Sequence, residues 1–179
     1  MRQKEDGKMQ TERLTLRPVA ADDWESIRQI RMDFARSPYV MYDTQKSVEP
    51  EEVKKQVARW ADETRAGAAH LVFVCCLAGA VIGFISLRTE EEGFEVGYGF
   101  LTAFQGKGYA QEGLLAVLRY AKARGAKRVS AGTALKNLPS VRLLRRVGFS
   151  LAGTEPLSFF RDAAGNDMVF ESGNFVKML

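Results

Sequence analysis

Residues 94–100 form an apolar run that leads into Gln105, Gly106, Lys107, Gly108, Tyr109 and Ala110, and from there to residue 123 apolar side chains recur at helical spacing. A strand that enters an amphipathic helix through a glycine-rich turn leaves the first N–H groups of that helix without intrahelical acceptors. Glycines then let an anion come close enough to meet them. The chain is therefore expected to cradle a phosphorylated ligand. The strand at 128–133 must return parallel to the first, because a helical crossover separates them.

The spacing within the turn excludes two phosphate loops. A Walker loop needs Ser or Thr after Gly-Lys, and Gly108 follows Lys107; the dinucleotide fingerprint needs a glycine where Gln111 stands. Gln105, Gly108 and Ala110 in the register Q-x-x-G-x-A resemble the pyrophosphate motif of the GNAT superfamily of N-acetyltransferases. Asn137, Ser140, Gly148 and Phe149 resemble the N-x-x-S…G-F segment of its RimJ/RimL-like subgroup, which acetylates ribosomal protein N-termini. Residues 11–18 resemble the opening strand of that subgroup. Residues 95–98 resemble its E-I-G-Y strand, and residues 165–167 the turn before its last strand. The resemblance spans residue 11 to the C-terminus and implies acetyl-coenzyme A as co-substrate.

Along the chain, residues 13–19 alternate as a strand and 22–36 carry Trp24, Ile27, Ile30 and Phe34 at helical spacing, with Asp22 or Asp23 as cap. Pro50 opens a second helix that ends near Gly67. Strands at 71–77 and 81–87 join through a hairpin at 78–80. A helix begins at Asn137 or Ser140 and ends at Gly148, and strands at 149–161 and 167–177 pair through a turn at 163–166. The expected class is α/β (α+β), a mixed sheet with helices on both faces. The resemblance adds that the sheet is mostly antiparallel, with one splayed parallel strand pair.

With 179 residues and 46% hydrophobic content the chain suits one domain, 9–179, preceded by a polar stretch at 1–8 expected to be a disordered extension or an upstream start. That stretch has no apolar core of a signal peptide and no run suits a membrane helix, so the expected compartment is cytoplasmic. Cys75 and Cys76 are adjacent in a strand and point to opposite faces; they suit neither a disulfide nor a metal site, and no metal is expected. The net charge of +4 is mild, and without a nucleic-acid motif no specific nucleic acid is expected as partner.

Acetyl transfer to an amine needs a neutral nucleophile, stabilisation of an oxyanion and departure of a thiolate. The resemblance implies a backbone N–H donor where parallel strands splay, with Gly97 and Gly99 allowing a bulge and Phe100 and Leu101 as donors. It implies Asn137 for the pantetheine amide. Many superfamily members carry a tyrosine acid seven residues after this asparagine, where this chain has Leu144; the subgroup serine corresponds to Ser140, suited to bonding the sulfur or to starting the helix. Glu95 is the first candidate base, ahead of Glu155, Asp167 and Tyr98, and His70 lies away from the motif. Residues 36–49, with Tyr39, Met41 and Tyr42, would form the acceptor wall.

The resemblance implies an acetyl-coenzyme A-dependent N-acetyltransferase, expected as a monomer or homodimer; direct transfer in a ternary complex is expected because no cysteine is paired with a histidine as an acyl carrier. An α-amine, with a pKa near 8, asks less of a base than a lysine or polyamine amine near 10, which favours a protein or peptide N-terminus. A small amine such as an aminoglycoside, polyamine or amino acid is the alternative. A coenzyme A-binding sensor without transfer is the alternative of another class.

Overall fold

The computed structural model describes residues 7–179. Most of the expected N-terminal extension, residues 1–6, lies outside them. Eight strands form one sheet in the order β1 (Met9–Gln10), β2 (Leu14–Pro18), β3 (His70–Leu77), β4 (Ala80–Glu90), β5 (Gly93–Phe100), β6 (Arg128–Ala134), β8 (Phe170–Met178) and β7 (Ser150–Leu157). Every neighbouring pair is antiparallel except β5 with β6. That exception follows from α3 (Tyr109–Ala123), which carries the chain across one sheet face between them.

Strand alternation divides the core into two layers. Leu71, Phe73 and Cys75 pack with Leu114, Val117 and Ala121 of α3 and with Val141 and Leu144 of α4 (Leu138–Arg146). Val72, Val74 and Cys76 face Ile27 and Ile30 of α1 (Trp24–Phe34) and Val53 and Val57 of α2 (Pro50–Ala66). The two cysteines thus lie on opposite faces, both buried and free. The β3–β4 hairpin closes through Ala78 and Gly79, both at positive φ (48° and 87°), as a two-residue turn of this twist requires.

Several boundaries differ from the sequence expectation. A 3-10 turn, Ala21–Asp23, precedes α1, and Asp23 takes the N-cap position without a side-chain capping bond; its carboxylate instead accepts the Ala20 N–H and pairs with Arg17. Residues 9–10 add an edge strand. The last hairpin is shorter than expected, since the β7–β8 ladder ends at Leu157 and Phe170. Beyond it, Arg161 and Asp167 make a lone bridge around a turn in which Asp162 accepts the N–H groups of Ala164 and Asn166. The aspartate side chain competes there with the ladder for backbone donors.

Candidate active site

After Phe100 the chain makes a 3-10 turn, Thr102–Phe104, passes through Gly106 (φ 71°) and Gly108 (φ 84°), and enters α3 at Tyr109. The first bond that closes the helix runs from Glu112 N–H to the Gly108 carbonyl at 3.0 Å. The N–H groups of residues 106–111 find no acceptor among the described residues. Six consecutive donors at the positive end of a 15-residue helix suit a diphosphate. Nothing lies within 4 Å of the place a Cβ would take at Gly106, so the cradle is open.

Side chains brace this loop in ways its motif does not reveal. Gln105 donates through Nε2 to the Phe100 carbonyl at 2.9 Å, so its amide ties the loop to the strand end. Lys107 folds back, with Nζ 2.9 Å from the Ala103 carbonyl, and contributes its backbone to the cradle. Behind the loop, Arg13 stacks on Tyr109 at 4.5 Å, donates to the Lys107 carbonyl at 3.0 Å and pairs with Glu112 at 2.7 Å. Glu112 also accepts the Thr11 hydroxyl and the Arg13 N–H. Burial pushes the Glu112 carboxyl up, but these hydrogen bonds outweigh it and hold the group below its ordinary value. Thr11 and Arg13 belong to the recognised opening strand, yet only the folded chain shows them meeting Glu112.

Beside the loop the sheet opens. β5 and β6 pair only over Gly93, Phe94 and Glu95, while β5 continues against β4 to Phe100. The Leu101 N–H donates to the Ile82 carbonyl at 3.0 Å. Antiparallel alternation therefore turns Gly99 and Gly97 toward β4, and aims the N–H groups of Tyr98 and Phe100 into the gap that β6 has left. Of the two expected donors, the Phe100 N–H faces the gap, whereas the Leu101 N–H is already engaged by Ile82. The expected bulge is absent too, since the β4–β5 register runs unbroken. The glycines serve close packing instead: a Cβ at Gly99 would come within 2.9 Å of the Phe84 ring, and one at Gly97 within 3.0 Å of the Ser86 hydroxyl.

Across the gap stand Asn137 and Ser140. Asn137 caps α4 by accepting the Ser140 N–H at 3.4 Å, which leaves the Ser140 hydroxyl free of a capping role. That hydroxyl lies 2.7 Å from the Tyr98 hydroxyl. Burial pushes the Tyr98 phenol up to about 12, against the opposing pull of the Ser140 hydrogen bond, so it stays protonated. Leu144 is fully buried under α3 and offers nothing to the gap. His70 packs edge-on against Trp60 at 5.8 Å and stands apart, as expected.

Glu95 occupies the opposite face of β5 from Tyr98, at the last paired rung. It is 43% exposed and 3.7 Å from Arg88, so the structure does not bring it to Ser140. Glu155 shares that opposite face through its register with Ser172, two strands beyond β6, and Asp167 is engaged with Arg161 at 3.1 Å. On this face Tyr42 packs on Phe170 at 5.2 Å, Phe159 joins them at 5.6 Å and Tyr39 adjoins Tyr42 at 6.5 Å. The sequence pointed to the two tyrosines, but their phenylalanine partners come from the last hairpin. A cavity of about 400 Å³ also opens here between Leu101 and α1, lined by Trp24, Arg28, Met32, Asp33 and Arg36.

The gap thus separates two chemistries, a phosphate cradle with paired hydroxyls on one side and carboxylates with an aromatic wall on the other. Residues 13–150 match the acetyltransferase (GNAT) domain family. By sequence the chain is 27% identical over 145 residues to the uncharacterized N-acetyltransferase YnaD of Bacillus subtilis (strain 168), covering 80% of this chain and 82% of that one. By structure it is similar to RimL, the ribosomal L7/L12 alpha-N-protein acetyltransferase, in complex with coenzyme A. The TM-score is 0.81 at 18% identity, over 96% of this chain and 98% of that one. It is similar as well to the ribosomal-protein-S5-alanine acetyltransferase from Vibrio fischeri, with a TM-score of 0.81 at 18% identity over 97% of both chains. The chain belongs to the acetyltransferase (GNAT) domain family and is an acetyl-coenzyme A-dependent N-acetyltransferase.

Proposed function

We propose that this enzyme transfers acetyl directly from acetyl-coenzyme A to the α-amine of a protein or peptide N-terminus in a ternary complex. The observation that carries this reading is the gap between β5 and β6, with unpaired N–H groups and a hydroxyl pair on one side and an open polar face on the other. The N–H groups of residues 106–111 hold the diphosphate, and the side chain of Asn137 orients the pantetheine arm through an amide. The Phe100 N–H meets charge growing on the carbonyl oxygen. Ser140 donates to the departing sulfur.

The amine approaches from the face of Glu95, which takes its proton directly or through water. Nothing lies within 4 Å of the place a Cβ would take at Gly132, so β6 leaves that approach clear. Direct transfer is favoured because burial pushes the Cys75 thiol far up and away from reactivity. A protein acceptor is favoured by RimL and the S5-alanine enzyme, whose names specify ribosomal protein substrates, and by a wall of four aromatic rings that suits a peptide segment.

The test is release of free thiol from acetyl-coenzyme A with peptides bearing free α-amines, the same peptides blocked at the N-terminus but carrying lysine, and a set of small amines. Turnover confined to free α-amines is expected. Turnover with small amines alone would replace the acceptor, and tight coenzyme A binding without turnover across all three sets would favour a sensor.

A further inference from the structure

Tyr98 is half-buried with its hydroxyl against Ser140 at the edge of the β5–β6 gap, and acetyl transfer as outlined above assigns it nothing. We infer that Tyr98 is a positioning residue for the departure of coenzyme A: its hydroxyl donates to Ser140 Oγ and thereby directs the Ser140 proton to the sulfur. This rests on the reading of Ser140 given above and adds a second residue to it.

The two hydroxyls lie 2.7 Å apart and come from different elements, β5 and the first turn of α4, so their contact is tertiary and not a local turn. Either oxygen has the geometry to donate. The phenol is the stronger acid of the two, so the favourable arrangement has Tyr98 donating and Ser140 accepting. With the Ser140 N–H given to Asn137 Oδ1 and its Oγ lone pair given to Tyr98, the Ser140 proton is left to point elsewhere. Ser140 borders the gap, the path open to a thioester.

Two donors in series polarise one another, which strengthens the terminal O–H as a donor to a thiolate. Burial raises the Tyr98 phenol above its ordinary value, so the pair supplies hydrogen bonds and not a proton. In the step itself the C–N bond forms as the C–S bond breaks, the amine loses its proton to Glu95 or water, and the sulfur leaves as thiolate. Neither hydroxyl changes its protonation.

The readout needs no acceptor. The thiol of bound coenzyme A is titrated through the ultraviolet absorbance of its thiolate, with binding checked by calorimetry. In the native enzyme the bound thiol should titrate below free coenzyme A. Ser140→Ala should raise the midpoint by about one pH unit and Tyr98→Phe by about half a unit, with the dissociation constant for coenzyme A changed less than about threefold. A Tyr98→Phe midpoint equal to the native one, with Ser140→Ala raised, would overturn the inference while sparing Ser140. No shift in either would remove Ser140 from the sulfur as well, and no binding of coenzyme A by the native enzyme would remove the underlying reading. If Tyr98→Phe does not fold, 3-fluorotyrosine placed at position 98, a stronger donor of nearly equal size, should lower the midpoint. An unchanged value there would also overturn the inference.

Discussion

Arg13 reaches Glu112 with Nε 2.7 Å from Oε2 while another nitrogen of the same guanidinium holds the Lys107 carbonyl at 3.0 Å, so one side chain just before β2 fixes both the phosphate loop and the first turn of α3. The pair is partly exposed, and its value lies more in aligning loop donors than in holding the fold. Arg13→Ala should weaken acetyl-coenzyme A binding by about threefold to tenfold through lost loop order and lost positive charge. Calorimetry at low and physiological salt would measure it, and an unchanged dissociation constant would show that the loop needs no brace.

Gly106 and Gly108 share positive φ but not their surroundings. A Cβ at Gly106 meets nothing within 4 Å, whereas one at Gly108 comes within 3.2 Å of the Arg13 guanidinium. Both alanine variants should lose about 1–2 kcal/mol from the left-handed conformation. Gly108→Ala should weaken cofactor binding the more, because it also pushes Arg13 from the loop. Thermal melts and binding isotherms on the two variants test the ordering.

Asn137→Ala removes the α4 cap and should cost about 1 kcal/mol of stability. It should also slow turnover more than that loss implies, because Ser140 sits in the uncapped turn. Asn137→Asp keeps the cap and should restore most of the stability. A variant with a lower melting temperature and native kcat would separate the cap from the chemistry.

Asp23 offers a pH test. Burial pushes its carboxyl up, but hydrogen bonds from Arg17 at 2.7 and 2.8 Å and from the Ala20 N–H prevail and hold it below its ordinary value. A group that binds its proton less readily when folded adds stability in full above the unfolded carboxylate pKa of about 3.9, and loses it as pH falls through the folded value. Asp23→Asn should therefore destabilise by about 1–3 kcal/mol at pH 7, and its deficit should shrink as pH falls below the unfolded carboxylate value and through the lowered folded one. A pH-independent deficit in calorimetric melts would contradict this.

Leu144→Tyr places a phenol seven residues after Asn137, but Leu144 is fully enclosed by the α3–α4 layer. Overpacking should cost about 1–3 kcal/mol with no gain in kcat. A faster enzyme would mean that the site has room for an acid which its core does not show.

The elements that hold the site were legible because each has a local cause. The Gln105 to Ala110 turn, the helix after it and the crossover to β6 follow from spacing alone, and so do the opposed cysteines. The Arg13–Glu112 pairing was hidden, since 99 residues separate the partners and neither position is periodic. Tyr98 meets Ser140 across 42 residues of sequence, a tertiary contact between β5 and α4 with no sequence marker. Leu101 was misjudged for a related reason: which strand edge an N–H faces depends on register, and one residue reverses it. Gly97 and Gly99 suggested a bulge, whereas their role is to admit Ser86 and Phe84.

The three rungs between β5 and β6 leave the sheet as two antiparallel halves, five strands and three, stapled at one end. Phe100 accordingly sits in a central strand with an amide that no neighbouring strand covers. Its hydrogen should exchange with solvent as fast as those of a surface loop, flanked by Gly99 and Leu101, whose amides are locked against β4. A ligand entering the gap would slow exchange at Phe100 while leaving Gly99 and Leu101 unchanged, so amide exchange there would report occupancy of the cleft even where no acceptor has been found.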